Sequence, residues 1–119
     1  MKLLIIEPDA VLGRLYQSAL EASGHDAQHV CTAQDALFAI EKSRPEKVIL
    51  ELDIPAHNGL EFLYEFSSYT DWSGIKVIIH TLLRPELFSR MKVSWSELGV
   101  SDYLYKPDTT LSILQQAVL

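Results

Sequence analysis

Residues 48–55 read Val-Ile-Leu-Glu-Leu-Asp-Ile-Pro. Three aliphatic side chains follow one another with no polar alternation, the pattern of a strand buried on both faces of a parallel sheet. Glu51 and Asp53 then stand at the carboxyl end, where open parallel sheets place their ligands. Leu3 to Ile6 and Val77 to Ile79 are runs of the same kind. Asp26 to Val30 and Ser101 to Tyr105 are more polar, which suits strands nearer the sheet edges.

The stretches between these runs carry helical spacing. From Asp9 to Ser23, apolar residues fall at Val11, Leu12, Leu15, Tyr16, Ala19 and Leu20, one face of a helix. Asp9 suits its N-cap and Gly24 its end. The same spacing predicts helices over Thr32–Lys42, with Thr32 as cap, and over Leu60–Ser68, Pro85–Leu98 and Asp108–Leu119. Strand and helix alternate five times, so the fold class is α/β: a five-stranded parallel sheet with helices on both faces, doubly wound. One domain is expected over residues 1–119, with no linker.

Composition narrows the function classes. The chain is 48% hydrophobic and 22% charged, which excludes a disordered or collagenous chain. Ten Lys and Arg against sixteen Asp and Glu leave a net charge of -6, which argues against direct nucleic-acid binding. Glu7 stops the first apolar run too early for a signal peptide, and no segment is long enough to span a membrane. A cytoplasmic protein is expected. Cys31 is the one cysteine, so no internal disulfide forms, and it reads as a small buried hydrophobe.

The strand ends collect the chemistry. Glu7, Pro8 and Asp9 follow the first strand, and Glu51 and Asp53 lie at the end of the third. His80, Thr81 and Leu82 follow the fourth, and Lys106 and Pro107 the fifth. Four carboxylates, a hydroxyl and a lysine are expected to converge on one rim. No Gly-x-Ser-x-Gly elbow supports a hydrolase, and no glycine-rich loop supports a dinucleotide site. His25, His29, His57 and His80 lack metal-ligand spacing and read as solvated or locally bonded, with His80 placed to sense pH beside the rim.

Taken in order, Leu4-Ile5-Ile6-Glu7, residues 48–55, Asn58-Gly59, Thr81 and Tyr103-Leu104-Tyr105-Lys106-Pro107 resemble a response-regulator receiver domain over the whole chain. The resemblance implies a flavodoxin-like sheet of strand order 2-1-3-4-5. It implies an aspartate at the end of strand three that takes a phosphoryl group from a histidine kinase. It further implies paired acids after strand one that hold Mg²⁺, a hydroxyl and a lysine that grip the phosphoryl oxygens, and an aromatic on strand five that changes rotamer.

This chain departs from that pattern at the site. Glu51 stands in the phosphoacceptor position and Pro8 in the second acidic position, while Leu82 replaces a small residue beside the phosphate. Glu7, Thr81, Tyr103 and Lys106 match. A glutamate carboxylate lies about 1 Å farther out than an aspartate's, which misplaces it for in-line transfer. Pro8 supplies no carboxylate, so no Mg²⁺ or other cofactor is expected, Glu7 and Glu51 being the residual candidate ligands. Asp53 and Asp9 complete the acidic pocket without replacing the acceptor. Glu51 is expected to reach Lys106, and also Thr81, unmodified, fixing the domain in one signalling state.

The expected function is signalling by protein contact without aspartyl phosphorylation, and not enzymatic catalysis. The partner face is expected on the fourth helix, fifth strand and fifth helix, with Leu83, Leu87, Phe88, Met91, Trp95, Tyr103, Leu111 and Leu114. Histidine kinase, a fused output domain and a second copy of the chain are the partners considered. Two other readings stand beside this one: a phosphorylatable receiver in a phosphorelay, and a dimerisation or scaffold module.

Overall fold

A computed structural model describes residues 1–55 and 58–119. His57 lies outside the described residues. Five strands form one parallel sheet: β1 (Lys2–Ile6), β2 (Asp26–Val30), β3 (Lys47–Leu50), β4 (Lys76–Thr81) and β5 (Val100–Tyr105). Their order is β2-β1-β3-β4-β5, as expected, with the two polar strands at the edges.

Alternation along the buried strands decides which layer each side chain joins. Leu4, Ile6, Val48, Leu50, Val77 and Ile79 face α2 (Ala33–Ser43) and α3 (Gly59–Ser67). Leu3, Ile5, Ile49 and Ile78 face α1 (Ala10–Ala22) and α4 (Leu111–Ala117), meeting Tyr16, Leu20, Leu114 and Val118. An apolar run without alternation thus feeds two cores at once.

The helix starts follow their caps. Asp9 Oδ1 accepts from the amides of Val11 and Leu12 at 2.9 and 3.0 Å, and Thr32 Oγ1 from Asp35 at 3.0 Å. Asn58 caps α3 through the Glu61 amide, 2.8 Å away. α4 is shorter than the expected Asp108–Leu119: a 3-10 turn, Lys106–Asp108, comes first, and Thr110 caps the helix proper.

The helix expected over Pro85–Leu98 does not form. Only a 3-10 turn, Pro85–Phe88, is present, followed by turns to Leu98. The apolar spacing was right for a helix, but local chemistry opposes one. Arg84 offers no side-chain cap, and Lys92 adopts a left-handed φ of 51°. Ser89, Ser94 and Ser96 are weak helix formers, and Val93 is β-branched. Packing is satisfied differently: Trp95 meets Phe88 and Tyr103 edge-on, with both pairs of ring centroids 5.4 Å apart.

One glycine couples α3 to the end of β3. A Cβ on Gly59 would lie 2.5 Å from Leu52 Cα and 2.9 Å from the Glu51 carbonyl oxygen. The first residue of α3 therefore presses against the backbone that carries Glu51. Gly59→Ala is expected to destabilise the fold by about 1–3 kcal/mol in urea denaturation. Gly74→Ala, where a Cβ meets nothing within 4 Å, is expected to be neutral or slightly stabilising.

Candidate functional site

β1 and β3 are adjacent, so their carboxyl ends bring Glu7 and Glu51 side by side. Both residues are buried, at 3% and 2% exposure. Lys106, just past β5, reaches across the sheet end to both. Its Nζ donates to Glu51 Oε1 at 2.7 Å and to Glu7 Oε1. Two carboxylates thus share one ammonium in a place with little access to water.

The second oxygen of each carboxylate is held by its own loop. The Asp9 amide donates to Glu7 Oε2 at 3.1 Å, and the Asp53 amide to Glu51 Oε2 at 3.0 Å. The Leu82 amide donates to Glu51 Oε1 at 3.2 Å. Glu51 therefore ties together the ends of β3, β4 and β5. Burial alone pulls the Lys106 ammonium downward, but its hydrogen bonds to Glu51 and Glu7 outweigh that and set its pKa above the usual lysine value.

Of the four carboxylates expected to converge, two do. Asp9 and Asp53 are exposed, Asp9 being committed to capping α1. They serve the site through their backbone amides instead. Thr81 is fully buried, but its hydroxyl accepts from the Leu83 amide at 3.1 Å, so the expected contact with Glu51 does not form. The Leu82 side chain is 56% exposed, turning outward while its amide points in. Tyr103 donates its hydroxyl to the Leu83 carbonyl at 2.7 Å. Burial, aided by Glu51 and Glu86, pushes that phenol up to about 12.

Several supporting groups escaped the sequence reading. The Lys106 ammonium lies 5.8 Å from the centre of the Tyr16 ring. His29 donates from Nε2 to the Glu7 carbonyl at 2.9 Å, in space kept open by Gly13, whose Cβ would overlap the imidazole ring. A glycine inside a helix was the available signal. His80 is buried and packs edge-on against Tyr16, with ring centroids 4.7 Å apart. Burial, with help from the Lys106 charge, pushes it down to about 4. It is neutral at physiological pH and so is no sensor there.

Among the described residues, no three His, Cys, Asp or Glu side chains cluster as metal ligands. The Mg²⁺ that the resemblance implies also fits poorly. Pro8 brings no oxygen from its side chain, and an ammonium already bridges the two carboxylates that remain.

The sharing of Lys106 predicts an order of mutational costs. Lys106→Met strands two buried carboxylates and is expected to cost about 3–5 kcal/mol at neutral pH. Glu51→Gln leaves the Lys106–Glu7 pair intact and is expected to cost less, about 1–3 kcal/mol. Chemical denaturation of both variants checks the order. His80 sets a separate pH window. Its folded pKa lies below the unfolded value, so its contribution is complete above pH 6.5 and is lost as pH falls through about 4. Wild-type stability is expected to fall by up to about 3 kcal/mol more than that of His80→Phe across this window.

The chain matches known proteins in sequence and in fold. The family model of the response regulator receiver domain matches residues 3–118. The chain is 30% identical to the KDP operon transcriptional regulatory protein KdpE of Escherichia coli over 87% of its length, covering 44% of that protein. It is 33% identical to the transcriptional regulatory protein BasR of the same organism over 90% of its length, covering 46% of that protein. It thus spans a little under half the length of these relatives. In fold it matches the chemotaxis protein CheY4 of Vibrio cholerae, with TM-score 0.84 and 18% identity over 98% of this chain and 94% of that one. The BeF3-activated receiver domain of Klebsiella pneumoniae RstA gives TM-score 0.83 and 22% identity over 99% and 95%. The chain belongs to the response-regulator receiver family, the receiver domains of two-component response regulators.

Proposed function

We propose that this receiver domain signals through protein contacts in its unphosphorylated form, with Glu51 doing structurally what a phosphorylated aspartate does in the family. One observation carries this reading. The Glu51 carboxylate already holds Lys106 and the Leu82 amide, the lysine and the β4 loop that would otherwise grip a phosphoryl group.

The energetics favour a fixed state. Breaking a buried ion pair leaves an uncompensated charge at a cost of about 3–5 kcal/mol, enough to bias a two-state equilibrium. The loop that Glu51 holds is fastened twice more, by Thr81 to the Leu83 amide and by Tyr103 to the Leu83 carbonyl. Tyr103 in turn packs on Trp95 and Trp95 on Phe88. A contiguous path thus leads from the buried ion cluster to the segment after β4.

That segment, with β5 and α4, is the surface proposed for a protein partner, here without the helix expected over Pro85–Leu98. Leu87 and Met91 are exposed there, as is Leu111 on α4, while Phe88 and Leu114 are core residues. Histidine kinase and a linked output domain are the partner classes that fit a receiver. Among the described residues no helix is long and apolar enough to cross a membrane.

The chemistry of Glu51 is tested directly by intact mass after incubation with Mg²⁺ and acetyl phosphate. The unmodified chain is expected to gain nothing, whereas Glu51→Asp/Pro8→Asp is expected to gain one phosphoryl group. A phosphoryl adduct on the unmodified chain would overturn the proposal and favour the phosphorelay reading.

A further inference from the structure

We propose that the outer face of α2 is a self-association surface. Two copies would meet about a two-fold axis, each seating its Phe38 in the cleft between α2 and β2 of the other. This surface meets the ion cluster only through His29, which donates to the Glu7 carbonyl, and the inference does not depend on the state of Glu51.

Phe38 is 67% exposed, an extreme position for an aromatic ring that buries 150–250 Å² when covered. Beside it lies a cleft of about 440 Å³, walled on one side by α2 and on the other by the end of β2, His29 to Cys31. On the helix side it is lined by Asp35, Phe38, Ala39 and Lys42. These positions follow three-four spacing and so form one stripe along α2. A second, mainly apolar cleft of about 340 Å³ flanks the other side of Phe38, against Tyr69 and Trp72. The ring is therefore a ridge between two grooves, the shape that ridge-into-groove helix packing needs.

The charges on the stripe select a second copy as the occupant. Asp35 and Lys42 are seven residues apart, about 10 Å along the helix, and Phe38 lies midway. Among the described residues neither makes an ion pair. Rotation about an axis through the Phe38 region sets α2 antiparallel to its partner. Asp35 of each copy then faces the partner's Lys42. The stripe is its own electrostatic complement, as an isologous interface requires. Parallel packing of the same stripe would set like charges together. In this arrangement Phe38 supplies the desolvated contact and the two ion pairs fix the register.

Sedimentation equilibrium over a concentration series tests the proposal. A reversible dimer is expected. Phe38→Ser, at an exposed position, should weaken it by at least about tenfold. Asp35→Lys and Lys42→Asp should each weaken self-association, because each sets like charges face to face. An equimolar mixture of these two variants should dimerise again, since one Asp35–Lys42 pair is then native and the other is restored with its charges exchanged. The doubly substituted Asp35→Lys/Lys42→Asp chain should also recover. A chain that stays monomeric throughout, a dimer unaffected by Phe38→Ser, or charge variants that do not pair on mixing would each overturn the proposal.

Discussion

A single ammonium shared by two buried carboxylates organises the carboxyl end of this sheet. Lys106 bridges Glu7 and Glu51, and those three residues come from the ends of β5, β1 and β3. Buried charges of this kind contribute little net stability and are costly to break. Their value here is geometric. Each carboxylate uses one oxygen for the lysine and the other for the amide two residues further along its own chain. The loops after β1 and β3 are thereby fastened to the same cation, and the Leu82 amide brings in the loop after β4.

The surrounding fold keeps that cluster dry and in register. Parallel pairing of β1 with β3 sets the two glutamates side by side, and Gly59 lets α3 close tightly over the chain beside Glu51. Tyr16 of α1 lies beneath the ammonium, and His29 secures the backbone of Glu7 from β2. The cluster lies within a sheet whose buried strands supply both hydrophobic cores.

Much of this was legible in the residues. Unbroken aliphatic runs marked the central strands, because only burial on both faces tolerates them, and polar content marked β2 and β5 as edges. Asp9 and Thr32 carried the local signatures of helix caps, and both cap their helices. The meeting of Glu51 with Lys106 followed from reach and opposite charge. What could not be read depended on backbone detail or on distant partners. The segment after β4 carried helical spacing but lacked a cap and held three serines, so packing of Trp95 against Phe88 and Tyr103 prevailed over periodicity. Asp9 and Asp53 were counted as acids, yet they serve the site through backbone amides, which no side-chain pattern encodes. Thr81 turned to Leu83, a choice between two acceptable partners that only three-dimensional geometry decides.

Glu51 holds the loop after β4 through the Leu82 amide, with no chemical modification needed. Hydrogen exchange at the Leu82 amide reads that restraint at the atom concerned. Compared with wild type, Glu51→Gln is predicted to lose protection at Leu82 and Leu83 while the β1, β3 and β4 amides keep theirs. Unchanged protection at Leu82 in that variant, with the sheet intact, would contradict the account.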